Sequence, residues 1–243
     1  MPGGPAGCLL LHGFLGSPRE MLPLAEALAQ EGWTVSVAQL AGHGTSPAAL
    51  ASSTCQDWVA SARAALEDLQ ARCRTVALVG QSMGGALALY LAAATRPAAV
   101  VAISTPIRVR PVLVSASRAA ARVLPLVPRL LRWRPREREM RPYRSAHAWV
   151  PLGLTGEVDR LLHQTREALA QVQAPILVVQ GRWDLVIPRE SGESIVRLAR
   201  RAPARLLWLK RSGHVATLDR DRHALYAAVT GFLRPLLQSA TAS

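Results

Sequence analysis

Gly80-Gln81-Ser82-Met83-Gly84 sets a serine between two glycines, each two residues away. A serine hydroxyl is a weak nucleophile unless a base takes its proton as it attacks. The flanking residues suit that use. The apolar run Thr75 to Gly80 reads as a buried strand, and Met83 to Thr95 has helical spacing and is ended by Pro97. A strand that turns sharply into a helix at a serine presents the hydroxyl at the carboxyl end of a sheet. The turn is so tight that only glycine fits two residues to either side. The N-terminus of the following helix favours negative charge developing at the site.

The base should be a histidine, of which there are six. His223 falls in the pattern of the last helix, His147 and His163 in an irregular middle segment, and His12 and His43 in glycine turns. His214, in Ser212-Gly213-His214, directly follows a late strand and is the candidate general base. Its partner would hold one imidazole tautomer and stabilise the imidazolium. Asp184, in Gly181-Arg182-Trp183-Asp184, follows the strand beginning at Ile176 and so lies at the same end of the sheet. A turn or helix-cap carboxylate is the alternative use of such a residue. Asp219 and Asp221 read as charges at the start of the final helix.

Acyl transfer also needs two donors aimed at the tetrahedral oxyanion. One is the backbone N–H of Met83, next after the serine. The other belongs in the loop after the first strand, His12-Gly13-Phe14-Leu15-Gly16, where Phe14 is the candidate donor and its ring a candidate wall for an acyl group. His12 reads as a brace for this loop.

The elements that must position these residues follow an alternating pattern. Strands are expected at Cys8–Leu11, Thr34–Leu40, Thr75–Gly80, Ala99–Ile103, Ile176–Val179 and Leu206–Leu209. Helices are expected at Pro18–Glu31, Thr54–Arg72, Met83–Thr95, Glu190–Arg201 and about Asp219–Leu237. Thr54 is the expected N-cap of its helix, with Asp57 in the first turn. Apolar strands without strict alternation imply a parallel sheet covered on both faces. The expectation is one α/β domain of about six parallel strands, with residues 1–106 and 171–243 as core. Residues 107–170 contain Pro111, Pro125, Pro128, Pro135, Pro142 and Pro151 and no strand-like run, with helical apolar patterns at Val112–Leu124 and Leu161–Leu169, and read as an inserted helical cap.

Together, His12-Gly13-Phe14-Leu15-Gly16-Ser17, Gly42-His43-Gly44, Gly80-Gln81-Ser82-Met83-Gly84-Gly85, Asp184 and Ser212-Gly213-His214 resemble the small bacterial carboxylesterases and monoacylglycerol lipases of the α/β-hydrolase superfamily. The resemblance runs from Leu9 to Leu237. It implies Ser82, Asp184 and His214 as a catalytic triad with Phe14 and Met83 as oxyanion donors. It further implies hydrolysis of short- to medium-chain esters or monoglycerides through an acyl-enzyme, with no metal or organic cofactor. Fold and triad leave other substrates open: a thioester, a lactone, a carbon–carbon bond or a perhydrolase reaction. A catalytically silent binding protein of this fold is a third reading, against which the complete set of five residues stands.

The formal net charge is +13, and Lys210 is the only lysine. The arginines gather in the cap, at Arg108, Arg110, Arg118, Arg122, Arg129, Arg132, Arg134, Arg136, Arg138, Arg141 and Arg144, with apolar residues and Trp133 between them. That mixture suits peripheral contact with anionic lipid, while a solvated basic face is the alternative. No nucleic-acid module is recognisable, so no nucleic-acid partner is expected. The start of the chain has no leader pattern, and three cysteines without metal or redox spacing suggest a cytoplasmic setting. Oligomeric state is left open.

Overall fold

The structure, a computed structural model, describes residues 1–128, 138–145 and 147–238. Its centre is a six-stranded, wholly parallel sheet. The chain forms β1 (Ala6–Leu11), a 3₁₀ turn (Pro18–Met21) leading into α1 (Leu22–Ala29), β2 (Thr34–Val37), α2 (Pro47–Ala51) and α3 (Cys55–Gln70). β3 (Thr75–Gln81), α4 (Met83–Thr95) and β4 (Ala99–Ile103) complete the first half. Next come α5 (Pro111–Ala121), β5 (Leu126–Pro128), β6 (Trp149–Pro151) and α6 (Thr155–Leu169). The second half closes with β7 (Ile176–Gly181), α7 (Glu190–Leu198), β8 (Ala204–Leu209) and α8 (Arg222–Gln238). Strand order is β2-β1-β3-β4-β7-β8.

Both faces of the sheet are covered, which explains why the strands read as unbroken apolar runs. Leu9, Leu11, Val76 and Leu78 pack with residues of α3, α4, α6 and α7. Their neighbours Cys8, Leu10, Ala77 and Val79 point the other way, into a second cluster with α1 and α8. α3 starts on a full capping box. The Thr54 hydroxyl accepts from the Asp57 N–H at 3.3 Å, and the Asp57 carboxylate accepts from the Thr54 N–H at 2.8 Å.

The middle segment differs from the expectation of a strandless helical cap. β5 and β6 pair antiparallel, Val127 opposite Val150. Each is three residues long and ends on a proline, so neither shows a period of two. Of the helices expected between 107 and 170, α6 joins the core layer. Leu161, Leu162 and Leu169 are fully buried, and the Thr165 hydroxyl donates to the Ala86 carbonyl of α4 at 3.2 Å. It is the crossover from β4 to β7, and an amphipathic pattern alone does not say which surface such a helix will cover. The expected cap arginines Arg129, Arg132, Arg134 and Arg136, with Trp133, lie outside the described residues.

The order reverses direction between β1 and β3: the chain leaves β1 for β2 on one side, then returns to build β3 on the other. At such a switch point the loops diverge and leave a crevice at the carboxyl end of the strands, where open α/β sheets bind ligands. The loop after β1 and the turn after β3 meet there.

Candidate active site

Ser82 follows β3 and caps α4. Its backbone stands at φ 56°, ψ −122°, a conformation that L-residues avoid and that is held here by its surroundings. Its N–H donates to Ile103 of β4 at 2.8 Å, and its carbonyl accepts from Gly85 and Ala86 in the first turn of α4. The two glycines are required by space. A Cβ on Gly80 would lie 2.1 Å from the Gly84 carbonyl oxygen, and one on Gly84 only 2.2 Å from that of Leu11.

Asp184 reaches His214 because their two loops are joined along the backbone. Arg182 N–H donates to Leu209 at 2.9 Å, and Trp183 N–H to Ser212 at 3.1 Å. Gly181 lets them close, since a Cβ there would lie 2.2 Å from the Ser212 carbonyl oxygen. The result is a continuous line of hydrogen bonds. His214 Nδ1 lies 2.9 Å from Asp184 Oδ2, and His214 Nε2 lies 3.0 Å from Ser82 Oγ. A carboxylate only accepts, so the ring proton sits on Nδ1 and Nε2 is free to receive the serine proton. The Asp184 side chain is 1% exposed. Its other oxygen accepts from the N–H groups of Val186 at 2.9 Å and Ile187 at 3.2 Å, which keeps the buried charge hydrogen-bonded.

The other expected residues lie at the same crevice. Met83 is the first residue of α4, where helix geometry leaves the amide without an intrahelical acceptor. Gly13 approaches the nucleophile so closely that a Cβ on it would be 3.1 Å from Ser82 Cβ. Phe14 comes next, its ring 6.0 Å from that of His43 and 6.1 Å from that of Trp58. His12 is fully buried and braces the loop as expected. Its Nδ1 lies 3.0 Å from the Gly13 carbonyl, and its Nε2 accepts from the Leu40 N–H at 3.4 Å. Burial lowers its pKa to about 3, so this brace is neutral.

Two aspartates do more than the sequence suggests. Asp219 and Asp221 precede α8, which begins at Arg222. Asp219 accepts from the Gly213 N–H at 2.7 Å, and Asp221 from the Arg211 N–H at 2.6 Å. Both therefore hold the loop that carries His214. Their reading as helix-terminal charges missed this, because the bonds span a loop whose return path has no sequence pattern. A cavity of about 730 Å³ also opens between the middle segment and the loops after β1 and β2, lined by Ser17, Arg19, Gly44, Arg144 and Trp149 among others. Ser82, Asp184 and His214 are not among its lining residues.

Residues 5–221 match the family model described as serine aminopeptidase, S33. The chain belongs to this family. Within it, the S33 protein is 33% identical over 222 residues to a thermostable monoacylglycerol lipase of Bacillus sp. (strain H-257), covering 90% of this chain and 86% of that one. It is 27% identical over 241 residues to a carboxylesterase of Bacillus subtilis (strain 168), covering 96% and 94%. A solved structure from work on the metagenome-derived lipolytic enzymes LipS and LipT superposes with a TM-score of 0.89 at 33% identity, covering 96% and 95%. The monoacylglycerol lipase of Paleococcus ferrophilus has a TM-score of 0.79 at 18% identity, over 95% and 94%, a likeness of fold. The fold of this S33 protein is that of the α/β-hydrolases.

Proposed function

We propose that this protein hydrolyses carboxylic esters through an acyl-enzyme on Ser82, with short- to medium-chain acyl esters or monoacylglycerols as substrates. The observation that carries the reading is the hydrogen-bonded line Ser82 Oγ, His214 Nε2, His214 Nδ1, Asp184 Oδ2. The carboxylesterase and monoacylglycerol lipase relatives support the substrate class.

In this reading Ser82 Oγ attacks the ester carbonyl carbon while His214 Nε2 takes the hydroxyl proton. The carbonyl oxygen becomes an oxyanion, met by the N–H groups of Met83 and Phe14, each worth about 3 kcal/mol of barrier. Asp184 holds the ring through Nδ1 and stabilises the imidazolium. His214 then passes its proton to the departing alcohol oxygen as the carbon–oxygen bond breaks, leaving the acyl group on Ser82. Water repeats the sequence, losing a proton to His214 and releasing the acid. No step needs a metal or organic cofactor.

Of the expected 107–170 cap, the described residues that precede α6 and lie outside the core are the part proposed as a lid. Exposed apolar residues there include Val112, Leu113, Val123, Leu124 and Trp149. Arg108, Arg110, Arg118 and Arg122 beside them are also exposed. This combination suits contact with an anionic lipid surface. Cys8, Cys55 and Cys73 are free and buried, in keeping with a reducing, cytoplasmic setting.

The test is a fluorophosphonate label followed by a panel of acyl esters, monoglycerides, thioesters, lactones and an aminoacyl anilide. Labelling at Ser82 is expected, with turnover greatest on esters. A native, folded protein that takes no label at Ser82 would sink the reading. Ser82→Ala and His214→Ala should each remove nearly all turnover, and the double variant should be scarcely worse, because the two act as a unit.

A further inference from the structure

The loop that carries Phe14 is not self-supporting. Gly16 N–H donates to Gly13 at 3.0 Å, closing a four-residue turn with Phe14 and Leu15 inside it. Leu15, third in that turn, has φ +58°, where turns of this kind call for glycine. A leucine there is strained and persists only if something outside the turn holds it.

Besides the His12 brace on Gly13, support comes from the middle segment, far away in sequence. The Ser145 hydroxyl donates to the Leu15 carbonyl at 2.7 Å, and the Ser145 N–H donates to Glu20 Oε1 at 3.0 Å. Glu20 lies against the same turn: a Cβ on Gly16 would be 2.7 Å from its Oε2. The Glu20 carbonyl also accepts from the Thr217 hydroxyl at 3.0 Å, and that hydroxyl lies 2.7 Å from the side-chain oxygen of Gln81, the neighbour of Ser82. Ser145 is 3% exposed and Glu20 is 5% exposed. Two residues on, His147 Nε2 accepts from the Gly44 N–H at 2.9 Å, so the segment is tied to the loop after β2 as well.

We infer that Ser145, seated on Glu20, is a positioning residue for the oxyanion donor Phe14, so that the segment returning from the lid sets half of the oxyanion site. The inference rests on the serine-hydrolase reading of Ser82 and Phe14. The two hydrogen bonds that Ser145 donates run to the turn and to the carboxylate packed against it, and the one that its hydroxyl accepts, from the His147 N–H at 3.4 Å, stays within its own segment. Its loss would shift Phe14 without removing a substrate contact, and misplacement by about 1 Å costs on the order of 100-fold in rate.

The experiment compares wild type, Ser145→Ala and Glu20→Ala for kcat, KM and inhibition by an acyl trifluoromethyl ketone, whose Ser82 adduct carries an oxyanion. Ser145→Ala is expected to lower kcat 10- to 100-fold, leave KM within twofold, and weaken the ketone in proportion to the fall in kcat. Glu20→Ala should reproduce this split from the other anchor, and decides the matter if Ser145→Ala does not fold. Ketone affinity unchanged in a folded variant, or KM rising as kcat is kept, would overturn the inference. Wild type that takes no fluorophosphonate would instead remove the underlying reading.

Discussion

His12 and His43 stand behind the loops of the crevice, and their chemistry makes the protein sensitive to acid. Each sets Nδ1 about 3.0 Å from a backbone carbonyl, of Gly13 and Ala41 respectively, which leaves Nε2 as the atom that would take a proton. Burial is the main cause that lowers the pKa of His12 to about 3 and of His43 to about 4, and the neighbouring His147 adds to both shifts. In the unfolded chain both would titrate near pH 6.5. Between that value and the folded pKa the unfolded state binds more protons, so stability rises with pH. The stability these two contribute is therefore complete above pH 6.5 and lost as pH falls towards 4. Each should add a slope of about 1.4 kcal/mol per pH unit in that window. Urea midpoints measured from pH 6.5 to 5 should fall for wild type, and His43→Asn should show a shallower fall. Equal slopes would mean that His43 carries its proton in the folded protein. At this scale the sequence was most readable where a residue's role follows from its immediate neighbours, as for Ser82 between its glycines. Asp219 and Ser145 were not readable, because their partners are chosen by how distant loops meet.

The elbow shows what elements demand of single positions. Gly84 sits where α4 meets β1, and a Cβ would lie 2.2 Å from the Leu11 carbonyl oxygen and 2.6 Å from that of His12. Both neighbours are backbone atoms, one at the end of β1, where Leu11 pairs with Gly80 of β3, and the other in the residue directly after it, so they cannot yield cheaply. Gly84→Ala should push α4 away from β1, lowering the melting temperature and cutting kcat by at least 100-fold through displacement of Ser82. Gly231 is the contrast: it is exposed within α8, and a Cβ there meets nothing within 4 Å. Gly231→Ala should raise stability by about 0.5–1 kcal/mol. Thermal melts of the two variants, with kcat for each, check the pair; two effects of the same sign would contradict the packing described here. Long periodic elements such as α3 and α4 were legible from spacing and caps, and the six parallel strands from unbroken apolar runs. β5 and β6 were not, since three residues ending in proline offer no period to detect. α6 was visible as a helix but not as a core crossover, because its partner α4 is fixed by topology.

For the whole molecule, the open matter is what the charge of +13 meets. Spread evenly, such a charge would give weak, salt-sensitive attraction to any anionic surface. Here arginines Arg108, Arg110, Arg118 and Arg122 accompany Val112, Leu113, Val123 and Leu124 in and to either side of one helix, with Val123 81% exposed. Charge brings such a surface near a membrane, and apolar side chains then bury in the headgroup boundary, so the two parts respond differently to salt. No described helix is long and apolar enough to cross a membrane. The protein should sediment with vesicles rich in anionic lipid at low salt and only weakly with neutral ones. Raising the salt should release part of it, while a Val123→Asp, Leu124→Asp variant with every arginine retained should bind several-fold less. If that variant binds as wild type does, the attraction belongs to net charge alone. If wild type fails to bind anionic vesicles at low salt, the lipid contact is removed and the arginines form a solvated face.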